Sequence, residues 1–71
     1  QEKVIRDLLA RAARNLSRVD YRRLDADART QYDQAKRFAT QAEEALGAKN
    51  LPFAHNLADK AATLAAQLAG R

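Results

Sequence analysis

Apolar residues at Ile5, Leu8, Leu9, Ala12, Leu16 and Val19 recur every three or four positions, with charged residues between them. That is the period of one helical face, and it predicts a first helix over about 2–19. Asp20-Tyr21-Arg22-Arg23-Leu24 breaks the pattern. Asp25 then stands where an N-cap belongs, and Asp27 falls in a first turn, where the helix dipole favours a carboxylate. A second helix over about 26–46 follows, with Ala28, Tyr32, Ala35, Ala39, Ala42, Ala45 and Leu46 on its inner face and Phe38 at the margin. Gly47 reads as its stop, a glycine taking the left-handed conformation that ends many helices. Asn50 is a second N-cap position, and Pro52 lies in the first turn, where its missing N–H costs little. Leu51, Ala54, Leu57, Ala58, Ala61, Leu64, Ala65 and Leu68 continue the three-and-four spacing to Gly70, predicting a third helix over about 51–69.

Short connections between long helices set neighbours antiparallel, so the expected fold is all-α, an up-down-up three-helix bundle spanning the 71 residues as one domain. A chain of this size buries only about 60% of the surface its unfolded form exposes. Small domains make up the shortfall with disulfides, a metal, very regular packing or oligomerisation. With no cysteine and one histidine, packing and self-association remain. No apolar stretch approaches the roughly 20 residues that cross a bilayer, so membrane insertion is not expected. The chain starts at Gln1 and has no methionine, which suggests a piece of a longer protein. The bacterial cell envelope and the cytoplasm both stay open as its compartment.

Residues 35–68 carry Phe38 and Ala42, then Asn50-Leu51, Ala54, Ala58 and Ala61 through a turn and second helix. In these positions the segment resembles one tetratricopeptide helical hairpin. Ala45 stands where that family usually has a large aromatic, and Lys49 where it has a turn glycine. The stretch 32–68, with Glu43-Glu44 and Leu57-Ala58-Asp59-Lys60-Ala61, is also similar to uncharacterised helical domains of bacterial envelope lipoproteins. Either resemblance implies a scaffold for protein contacts, because a single hairpin cannot bury both its faces and stacks on a neighbour. Neither brings site residues with it.

Candidate chemistry is sparse. His55 has Asp59 one turn on, within reach of a hydrogen bond, but nothing nearby completes a nucleophile and base. Asp25, Asp27 and Asp33 are spaced too loosely for a calcium loop, and Glu43 and Glu44, adjacent on a helix, point apart. Ser17, Thr30, Thr40 and Thr63 sit in no nucleophile elbow, and two isolated glycines make no phosphate loop. The expectation is a non-enzymatic domain without cofactor or metal.

Charge adds one feature. Residues 1–24 hold seven basic side chains against three acidic ones, while the remainder balances. Arg11, Arg14, Arg18 and Arg22 follow helical spacing and would line a stripe able to meet phosphate or an acidic partner. No DNA-reading motif or stacking aromatics accompany it, so only sequence-independent nucleic-acid binding could follow. The leading expectation is a structural or protein-interaction module that self-associates or packs on a neighbour in its parent protein, with Leu9, Val19, Tyr21, Phe53 and Leu57 as candidate contacts. Weak nucleic-acid binding through the arginines is the alternative. A linker or cap with no partner of its own is a third.

Overall fold

Three α-helices account for nearly all of residues 1–70, which the computed structural model describes: α1 (Glu2–Ser17), α2 (Ala26–Gly47) and α3 (Leu51–Ala69). A single 3-10 turn, Tyr21–Arg23, interrupts the first connection. The fold is the expected all-α bundle. Its long axis of 37 Å is set by α2, whose 22 residues span about 33 Å at 1.5 Å per residue.

The start of α2 forms as its sequence dictates. The Asp25 carboxylate accepts the Ala28 N–H at 2.8 Å, satisfying one of the donors a helix start leaves unpaired. Its end departs from expectation. Gly47 is still helical, and the residue with positive φ is Lys49, at 63°. From there the Lys49 N–H donates to the Leu46 carbonyl at 3.0 Å and the Asn50 N–H to the Ala45 carbonyl at 2.9 Å. This paired motif turns the chain within three residues. A lysine therefore holds the left-handed position that the sequence assigns to Gly47. Asn50 does precede α3, but its side chain makes no capping bond.

α1 is shorter than its apolar pattern suggests. It ends at Ser17, where Arg18 and Val19 donate to the Asn15 and Leu16 carbonyls and tighten the last turn. Val19, expected inside the helix, lies beyond it, packed against the core with Leu24.

Ten of the fifteen buried hydrophobic residues among those described are alanines, and the only large side chain fully enclosed is Ile5. Two clusters share this core. Ile5 packs with Ala42, Leu46, Ala54 and Leu57 near the α2–α3 turn. Ala12 and Leu16 pack with Ala28, Ala35, Ala61, Ala65 and Leu68 at the other end. α3 contributes most, burying Ala54, Leu57, Ala58, Ala61, Ala62, Ala65 and Leu68. Its small side chains let α1 and α2 both lie close along it. α1 and α2 touch each other far less. They are joined by eight residues, and Leu9, Leu16 and Tyr32 line the space between them.

Replacing Asp25 by alanine is expected to cost about 1 kcal/mol in chemical denaturation, the usual value of an N-cap. Asn50→Ala should cost only a few tenths, because no side-chain bond is lost.

Candidate functional site

The incomplete meeting of α1 and α2 leaves a groove. Its floor is apolar: Leu9, Ala13 and Leu16 from α1, Tyr32 and Ala39 from α2. Ser17, Lys36, Thr40 and Glu43 form the rim, and the space between the helices is about 320 Å³. The groove continues past Leu9 and Glu43 into a second recess bounded by Arg6, Leu46, Gly47 and Lys49.

Both ends are closed by polar contacts. At one end Tyr21 packs edge-on against Tyr32, ring centres 5.1 Å apart and planes at 72°. Its hydroxyl donates to Asp33 at 3.3 Å, and the Arg29 guanidinium lies 5.3 Å from its ring centre. Arg29 also donates to the Tyr21 and Arg22 carbonyls at 3.2 and 3.1 Å. Asp20 caps the 3-10 turn through the Arg22 N–H at 3.2 Å. These bonds fix the long α1–α2 connection to the first turns of α2, so Tyr21 is held in place although 38% exposed.

At the other end Lys49 reaches Glu2 at 2.9 Å, tying the start of α1 to the α2–α3 turn. The bond and charge of Lys49, with Arg6 at 3.6 Å adding to them, hold the Glu2 carboxyl below its usual pKa.

The five apolar contact candidates do not form one surface. Leu9 lines the groove and Tyr21 closes it. Val19 is half-buried against the core. Phe53 is 54% exposed but lies on the other flank of α2, in a recess with Gln41, Glu44 and Ala48. Leu57 is only 5% exposed and packs inside the Ile5 cluster, which removes it as a surface contact. Its three-and-four spacing belongs to the core stripe of α3, where it is buried beside Ala54 and Ala58.

Of the arginines, Arg11 and Arg14 on α1 and Arg18 at its C-cap are exposed, on the side opposite Leu9, Ala13 and Leu16 by 100° per residue. Among the described residues none of the three has a carboxylate within ion-pair distance, whereas Lys3, Arg6, Arg23 and Lys49 each do. Arg22 lies past the end of α1 in the 3-10 turn, so helical spacing does not place it on that stripe. His55 and Asp59 are both exposed and make no hydrogen bond to each other. No set of three or more potential ligands among the described residues is grouped for a metal ion, and no described helix is long and apolar enough to cross a membrane.

Ala13, Ser17, Lys36, Thr40 and Glu43 are the groove residues that periodicity misses. Two of them are charged and one is a small residue off the core stripe, and only knowing that α1 stands away from α2 gives them a shared position. No protein-family model, curated protein or solved structure matches this chain.

Because the folded pKa of Glu2 is depressed, its pairing with Lys49 stabilises the fold above the unfolded glutamate pKa, about 4.3. That contribution is lost as pH falls through the folded value. Glu2→Gln should therefore lower the melting temperature at pH 7, and the difference from the parent should close as melting curves are taken at successively lower pH below 4.3.

Proposed function

We propose that this chain is a self-associating protein-interaction module whose contact surface is the α1–α2 groove. The observation that carries this reading is the apolar floor of Leu9, Ala13, Leu16, Tyr32 and Ala39, left open between two helices that fail to close. Leu9 and Tyr32 on the groove are only partly buried, while the enclosed core is mostly alanine. Covering half-buried large side chains contributes more than any further packing inside the monomer, since each large apolar side chain is worth about 1.5–3 kcal/mol when fully buried. A standard interface takes about 800 Å² from each partner, roughly a sixth of the 4762 Å² this chain exposes. One of the three flanks of the bundle is large enough to supply it. The resemblance of residues 35–68 to a tetratricopeptide hairpin supports the same reading, because such hairpins stack on a neighbour.

Ala13 is exposed on the groove floor, so a long side chain there obstructs a partner without entering the core. Sedimentation equilibrium should find concentration-dependent self-association of the parent, weakened roughly tenfold or more by Ala13→Arg at unchanged helicity. Phe53→Ala, on the other flank, should leave association as it was. Loss of association with Phe53→Ala and not with Ala13→Arg would move the interface off the groove.

Arg11, Arg14 and Arg18 support a second reading, a weak and sequence-independent contact with phosphate, since among the described residues these three cations have no carboxylate partner. They face away from the groove, so the two readings are independent. Binding of this kind to duplex DNA should fall with salt with a log–log slope near −0.9 per phosphate neutralised, about −2.7 for three. A flat salt response, or binding unaffected by Arg14→Glu with Arg18→Glu, removes it.

A further inference from the structure

The rim of the groove has a charge pattern with a symmetry of its own. Lys36 and Glu43 are both exposed on the same lip of α2. They stand seven residues apart, two helical turns or about 10.5 Å, and the midpoint between them falls between Ala39 and Thr40. On α1, Leu9 and Leu16 are also seven residues apart, with their midpoint between Ala12 and Ala13. Since the helices run antiparallel, Leu9 shares the Glu43 end of the groove and Leu16 the Lys36 end, with Ala13 and Ala39 between them. One axis across the groove therefore passes through both midpoints.

We infer that a second copy of this chain covers the groove about a two-fold axis running across it at the level of Ala13 and Ala39, so that Lys36 of each copy meets Glu43 of the other. This rests on the self-association reading and specifies its geometry. A closed two-fold contact requires a patch complementary to itself. Rotation about this axis lays α2 antiparallel on α2 of the second copy, converts the Lys36 and Glu43 of one rim into two reciprocal ion pairs, and sets each Leu9 over a Leu16. At the axis only Ala13, Ala39 and Thr40 intervene, small enough for the helices to approach. A heterologous partner could satisfy the apolar floor as well, but it has no reason to match a rim that is its own complement.

Gly47 fits the same register. Its φ is not positive, so the backbone does not demand glycine, and a Cβ built there meets no atom within 4 Å. Glycine inside a helix costs roughly 0.5–1 kcal/mol relative to alanine. The rotation that pairs residue 36 with 43 brings residue 32 to the level of 47, so the partly buried Tyr32 ring of the second copy finds open space over Gly47. The arginine stripe stays on the outside of such a dimer.

The decisive experiment is a charge exchange read by sedimentation equilibrium, with circular dichroism as the check on folding. Both side chains are exposed, so neither variant disturbs the core. Lys36→Glu alone and Glu43→Lys alone each place like charges opposite one another twice, and each should associate at least tenfold more weakly than the parent. Mixing the two single variants restores both pairs, and an equimolar mixture should form a heterodimer near the parent affinity. The chain has no cysteine, so Thr40→Cys, beside the axis, should give a disulfide-linked dimer under mild oxidant, while Phe53→Cys should not. If the parent associates but both charge variants match it and Thr40→Cys does not cross-link, this register is wrong and self-association stands on another face. If the parent and all variants sediment as monomers, both the register and the self-association reading are overturned.

Discussion

Close contact along α3 is the interaction on which the other features depend. Five of its seven buried residues are alanines, so α1 and α2 can each lie close against it. Alanine brings backbones together but removes little apolar area from water, and among the described residues only one large side chain is fully enclosed. Ile5, Leu16 and Leu46 pack into the core with α3, while Leu9 of α1 and Tyr32 of α2 stay only partly buried beside the space between those two helices. Leu9 and Tyr32 are consequently neither core nor free surface, and with the edge of the core residue Leu16 they form the groove.

Capping and ionic contacts then set the ends of the molecule rather than its middle. Asp25, Arg29 and the Tyr21–Tyr32 pair fasten the α1–α2 connection to α2, and the Lys49–Glu2 pair fastens the start of α1 to the opposite turn. With both ends tied and eight residues in the first connection, α1 keeps its place on α3 without having to close on α2.

Helix number, order and most of the inner faces were legible because the apolar period is strong and Asp25, Asn50 and Pro52 punctuate it. Where the reading failed, a tertiary or backbone effect outweighed a local rule. Gly47 drew the helix stop to itself, yet the turn takes its left-handed residue two positions later, at Lys49, where two backbone bonds close the motif. Leu57 carries the apolar period of α3 and is buried on that stripe, so it offers no contact surface. The groove was half legible. Leu9 announced itself as an apolar residue at the edge of its stripe, but Lys36, Thr40 and Glu43 belong to a site only through the separation of α1 from α2, which no spacing within one helix encodes.

The most direct test is a dilution series followed by 1H–15N correlation spectra from the associating to the monomeric range. Covering of the groove by a second copy predicts concentration-dependent shifts at Leu9, Ala13, Leu16, Tyr32, Lys36, Ala39, Thr40 and Glu43, with Arg11, Arg14 and Phe53 unmoved. Shifts gathered around Phe53, Gln41 and Glu44, or none across the whole range, would contradict the account.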